Sequence, residues 1–224
     1  MDGSLRNEQR RTLDAARLPA GPSARFLFRL MDLLYGRSAT LEKFRVLEII
    51  ARVPYIAWEH VAYVAITHTH RRTGFARQIH DEVTSVREQQ DNELFHLLII
   101  EELLQRRDVQ PRLIRHRVLP QIIAWSYYHL SWLLYVMRPG WSYALNAQFE
   151  DHAEHEYMQF VADHPELDHE LWISEFAADY GYFASVGDLL RQIGLDERHH
   201  KLESLERIDR ARFGDGDEEA RTAA

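Results

Sequence analysis

Apolar residues recur every three or four positions along most of this chain, the period of a helix with one buried face. From about Thr40 to Arg72 the positions Leu41, Phe44, Leu47, Ala51, Tyr55, Trp58, Ala62 and Ile66 keep that spacing, and Pro54 predicts a kink midway. A turn at 71–75 (RRTGF) leads to a second helix over about Ala76–Gln105, marked by Ile79, Val83, Val86, Leu94, Leu97, Leu98, Ile100 and Leu104. Two more helices are expected over about Trp141–Ala162 and Val186–Arg212, with a polar connection and a short aromatic segment (171–182) between them. Four long helices in one chain predict an all-α fold.

Two further stretches are apolar in a different way. Arg25–Tyr35 (RFLFRLMDLLY) sets bulky apolar residues between two arginines and an aspartate. Such a helix either docks on a bundle or lies in a membrane interface, and the residues alone favour docking. Val118–Met137 (VLPQIIAWSYYHLSWLLYVM) is long enough to cross a bilayer. Pro120, Gln121, Ser126, His129 and Ser131 interrupt it, so a buried, partly membrane-facing helix is expected instead. Residues 1–24 are polar and end in Pro19, Gly21 and Pro22, which reads as a flexible N-terminal arm or a short surface helix. Residues 213–224 read as a disordered acidic tail.

Composition narrows the chemistry. Glycine (10) and proline (7) are too scarce for an internal linker, so 25–212 is expected to be one domain. A net charge of −8 speaks against a nucleic-acid partner. The chain has no cysteine, which leaves imidazole and carboxylate as its strong metal ligands. Its polar N-terminus shows no secretory signal, so an intracellular location is expected.

Among the ionisable residues one pattern repeats. Glu93-Leu94-Phe95-His96 and Glu197-Arg198-His199-His200 each hold a Glu-x-x-His, about a hundred residues apart. At i and i+3 the two side chains share a helix face. Two such pairs plus one Glu from each of two more helices form the di-iron carboxylate site of ferritin-like bundles. Candidate single glutamates are Glu48 and Glu59 on the first long helix, and Glu150 and Glu154 on the third. Spacing alone does not choose within either pair. Four carboxylates with two neutral imidazoles balance two divalent irons, and carboxylates can bridge them, which suits O2 chemistry better than catalytic zinc. Tyr157 falls two turns after Glu150 on the same face. Either it is a core tyrosine or it passes an electron and a proton to the site.

The segments VLEIIARVPY (46–55), NELFHLLIIE (92–101), EDHAEHEY (150–157) and DERHH (196–200) resemble, in order, the four ligand motifs of the alternative oxidases. The plastid and cyanobacterial terminal-oxidase branch is the nearest match. The resemblance runs over roughly residues 26–205. It implies a ferritin-like four-helix bundle with additional short amphipathic helices. It also implies two iron ions held by Glu48, Glu93, His96, Glu150, Glu197 and His200. Tyr157 takes the position of the redox-active tyrosine. Asn92 and Asp196 take positions that orient ligands. Lys43, Leu47, Ala153 and Glu156 fall on the quinol pocket, with Lys43 in place of an arginine and Glu156 in place of a smaller neutral residue. The implied activity is non-electrogenic reduction of O2 to water by ubiquinol or plastoquinol. The implied setting is a homodimer attached to one leaflet, either the cytoplasmic side of a bacterial inner membrane or an organelle membrane. Two other functions fit the residues: a di-iron oxidase or hydroxylase of another small substrate, and a non-enzymatic iron-binding protein.

Overall fold

A computed structural model describes residues 2–210 and 212–213, and all regular structure among them is helical. In chain order the α-helices are α1 (Asp2–Asp14), α2 (Pro22–Tyr35), α3 (Leu41–Ala51), α4 (Val53–Thr69), α5 (Thr73–Arg106), α6 (Leu119–Met137), α7 (Pro139–Asp163), α8 (Ala177–Tyr180) and α9 (Val186–Arg207). A short π-helical turn (Ile114–Val118) precedes α6, and a 3-10 turn (Pro165–Asp168) follows α7.

Local chemistry sets these limits. The Thr40 hydroxyl caps α3 by accepting from Lys43 N (3.2 Å), and Ser185 caps α9 by accepting from Asp188 N (3.1 Å). Pro22, Pro54, Pro120 and Pro139 each sit in a first turn, where the missing N–H costs nothing. Pro54 does more than kink the expected helix. It cannot donate to the Ile50 carbonyl, which takes the Arg52 N–H instead, so the helix divides into α3 and α4. At Gly36, φ is +92°, a conformation glycine tolerates and which ends α2.

The bundle is built from α3 with α4, α5, α7 and α9. The most extensive packing joins α7 to α9. There the absent side chain of Gly194 admits Met158, since a Cβ would lie 3.0 Å from Met158 Cε. Helix α6 lies outside, against α4, α3 and α7. Apolar side chains gather in two buried clusters. The first includes Phe44, Leu47, Ile50, Phe149, Tyr157, Phe160 and Leu189, with α2 packed on it through Ala24, Leu27, Met31 and Tyr35. The second holds Tyr55, Trp58, Val61, Ile79, Val83, Tyr135 and Tyr143.

The N-terminus departs from the expected flexible arm. Residues 2–14 are helical, and α1 docks across α7 and α9. Gln9 donates to the Met158 carbonyl (2.8 Å) and accepts from Arg191 (2.8 Å). Arg198 grips Glu8 (2.6 Å), Thr12 (2.6 Å) and Glu154 (2.9 Å). Polar composition hid this docking, because the contacts are hydrogen bonds and ion pairs made by α1's polar face. At the other end Phe213 is buried in the second cluster. Residues 214–224, where the acidic tail was expected, lie outside the described residues.

Candidate metal centre

The two Glu-x-x-His motifs face each other in the middle of the bundle, on α5 and α9. Glu48 enters from α3 and Glu150 from α7. Ligand-type atoms of Glu48, Glu93, His96 and Glu197 lie within 4.8 Å of one another, and so do those of Glu93, Glu150, Glu197 and His200. All six residues are buried. Glu93 and Glu197 belong to both groups, so the arrangement is two adjoining sites sharing two carboxylates. His96 Nδ1 is 3.2 Å from Glu197, 3.5 Å from Glu93 and 3.6 Å from Glu48. His200 Nδ1 is 2.7 Å from Glu93 Oε1.

The residues at the site fit a pair of cations. Both oxygens of Glu93 and of Glu197, Oε2 of Glu48 and of Glu150, and Nδ1 of both histidines are buried without a hydrogen-bond partner. Four carboxylates held this way are costly unless protonated or neutralised by cations. A neighbouring acid cluster shows the contrast. Asp151 and Glu154 also lie with His155, but Lys201 bonds both carboxylates (2.9 and 2.5 Å) and Arg198 and Thr12 take Glu154. That cluster is an ion-pair network. Glu154 is thereby engaged elsewhere, and Glu59 pairs with Arg87 (2.6 Å) away from the centre. His199 is exposed.

Electrostatics follow from burial. It pushes the Glu48 carboxyl up to about 7 and Glu150 up to about 8, and it raises Glu197 as well. Glu93 moves the other way, because His200 and His96 outweigh its burial. Burial opposes charge on both histidines, yet the acids around them raise His96 and His200. Divalent cations would displace the protons held here, so metal affinity is linked to pH.

Polar neighbours fix the orientation of the ligands. Asp196 Oδ2 accepts from His96 Nε2 (3.2 Å), from Asn92 (3.4 Å) and from the Tyr180 hydroxyl (2.6 Å), while Gln192 donates to Oδ1 (2.8 Å). A proton held on Nε2 leaves the Nδ1 lone pair aimed at the acids. Asn92, Tyr180 and Asp196 also line a cavity of about 550 Å³. On the opposite sides, each single glutamate accepts from one buried tyrosine. Tyr157 donates to Glu48 Oε1, and Tyr55 donates to Glu150 Oε1 (2.9 Å). Asn146 in turn donates to the Tyr55 hydroxyl (3.1 Å). The sequence reading missed Tyr55, Asn146 and Tyr180. Tyr55 and its acceptor are 95 positions apart, and Tyr55 fits the apolar period equally well as a core residue.

Of the remaining candidates, Lys43 and Glu156 are each ion-paired with the N-terminal part of the chain. Lys43 is buried and its Nζ meets Asp32 of α2 at 3.0 Å. Glu156 pairs with Arg17 (3.3 Å). Between them His152 stacks on Phe28 of α2 (4.2 Å), and burial lowers its pKa to about 4. Leu47, next to Glu48, and Ala153, one turn after Glu150, are both buried.

A sequence model of the alternative oxidases matches residues 8–205. The chain belongs to the alternative oxidase family. Ubiquinol oxidase 4, chloroplastic/chromoplastic, of Arabidopsis thaliana is 33% identical to it over 135 residues, 60% of this chain. That match spans 35% of the relative's length. A plastid relative agrees with the branch resembled by the motifs. An all-helical bundle, with acids and histidines of the four motifs brought to one place, agrees with the family assignment.

Proposed function

We propose that this protein is a quinol oxidase that reduces O2 to water, with two irons held by Glu48, Glu93, His96, Glu150, Glu197 and His200. The observation that carries this is the set of unpartnered, buried oxygen and nitrogen atoms in two groups that share Glu93 and Glu197. Family membership and the plastid ubiquinol oxidase relative support the donor. When bound, the irons supply the electron transfer to O2. The protein's own groups do the rest. Asp196 holds the His96 proton on Nε2, Asn92 helps fix Asp196, and Tyr157 holds its proton against Glu48 Oε1. Phe44 stacks on Tyr157 (4.1 Å, 15°) and keeps water from its ring. Quinol approaches through the corner of Lys43, Leu47, Ala153 and Glu156, where α2 covers the bundle. The family resemblance implies a non-electrogenic step, and no helix of the described residues is long and apolar enough to cross a membrane.

Attachment to one leaflet is supported by two helices. Tyr35 at the end of α2 donates to the Arg115 carbonyl before α6 (2.9 Å), and the start of α2 meets the end of α6 around a cavity of about 240 Å³. Side by side, they expose Phe26 and Leu33 from α2 and Ile122, Trp125, Leu133 and Met137 from α6. Exposed apolar area of this extent marks an interaction face, and arginines 25, 29, 112 and 117 flank it for anionic headgroups. Pairing of two chains rests on the family resemblance.

The test is O2 uptake by purified protein with quinol, before and after iron removal. Quinol-dependent uptake that needs iron is expected. Full iron loading without quinol oxidation would overturn the donor, and O2 uptake with another substrate would then favour the second di-iron reading.

A further inference from the structure

We propose that Tyr55, Trp58, Tyr143 and Tyr135 form a second electron route at the metal centre, which carries an oxidising equivalent away from the ligands when quinol is short. The inference rests on the O2-reducing function above.

The route begins at a candidate ligand. The Tyr55 hydroxyl donates to Glu150 Oε1 at 2.9 Å, with Asn146 fixing its oxygen. The Tyr55 ring meets Trp58 edge-on at 5.2 Å, Trp58 meets Tyr143 at 4.7 Å, and Tyr143 meets Tyr135 at 5.6 Å with the two hydroxyls 3.2 Å apart. All four side chains are at most 2% exposed. At the outer end the partly exposed Arg212 lies over the Tyr135 ring (5.6 Å). Core packing asks only for apolar area, which phenylalanine or leucine supplies equally. Tyrosine and tryptophan differ in that they lose one electron and take it back. Here four of them stand in unbroken contact, starting at the centre.

Reducing one O2 to two waters takes four electrons and four protons, which two quinols supply. When quinol runs short, the centre is left electron-poor beside oxidisable rings. Tyr55 can then give one electron inward while its phenolic proton moves to Glu150 Oε1. An electron from Trp58 and the proton from Glu150 restore Tyr55, and the hole passes on through Tyr143 and Tyr135. The next quinol to reach the centre supplies the electron that refills the hole, so the quinol donor closes the balance. The same rings also keep the oxidising equivalent from damaging the ligands.

The experiment uses ferrous-loaded protein mixed with O2 without quinol and freeze-quenched for electron paramagnetic resonance, with ring-deuterated tryptophan or tyrosine incorporated biosynthetically. A radical whose line shape responds to tryptophan deuteration is expected in the wild type and in Tyr157→Phe, and it is lost in Trp58→Phe. A signal confined to Tyr157, or a tryptophan signal that survives in Trp58→Phe, would overturn the route. Should Trp58→Phe fail to load iron, isotope labelling of the wild type decides alone, because a tryptophan-insensitive signal there is contrary. No quinol enters this measurement, so its outcome is separate from failure of quinol oxidation.

Discussion

The two halves of the proposed metal centre are alike in their candidate ligands and unlike in what stands behind them. Behind Glu48, Tyr157 is enclosed by Phe44 (4.1 Å), which in turn meets Phe160 (5.2 Å). Phenylalanine does not exchange electrons readily, so the proposed redox exchange of Tyr157 runs toward Glu48 and not outward through this cluster. Behind Glu150, Tyr55 opens onto Trp58, Tyr143 and Tyr135. One buried cluster isolates its tyrosine and the other connects it. Equal burial and equal hydrogen bonding therefore do not imply equal roles; the identity of the next ring decides.

Glu93 serves both halves, so Glu93→Ala should erase the distinction. Iron content and quinol-dependent O2 uptake are expected to fall to background, measured by metal analysis and an oxygen electrode; retained activity would refute the ligand assignment. A smaller effect confined to one half comes from Asp196, which among the candidate ligands bonds His96. Asp196→Asn should weaken iron binding by about 10- to 100-fold, and a competitive chelator titration would show one iron lost before the other. Equal weakening of both would mean that Asp196 does not distinguish the halves.

The smallest effect is in the metal-free protein. Glu48 and Glu150 have folded-state pKa values of about 7 and about 8, above the ordinary 4.5. A raised carboxyl pKa means that the fold favours the protonated form. Its contribution is fully present below pH 4.5 and is lost as pH rises through those values. Metal-free protein should therefore unfold at lower urea as pH rises from about 4.5 to about 8. Bound ferrous iron should remove that decline. A midpoint independent of pH in the metal-free form would contradict the proton-for-metal exchange.

Helix periods and the i,i+3 motifs were legible in the sequence because both depend on near neighbours. Glu48 against Glu59, and Glu150 against Glu154, stayed open because the deciding partners are distant. Arg87 claims Glu59, and Arg198 with Lys201 claims Glu154. Family resemblance pointed to Glu48 and Glu150, and the structure sets those two among the buried acids of the cluster. The docking of α1 was hidden for a related reason, since Gln9 and Thr12 read as surface until Met158 and Glu154 are seen opposite them. Lys43 illustrates the reverse. Its departure from an arginine was visible at once, but its pairing with Asp32 needed α2 in place.

Anaerobic titration of metal-free protein with ferrous iron tests the proposed centre most directly. Two irons per chain are expected, with Glu48→Ala and Glu150→Ala each weakening a different one. Saturation at one iron or none, or two irons still bound tightly in both variants, would contradict a two-site centre built on these residues.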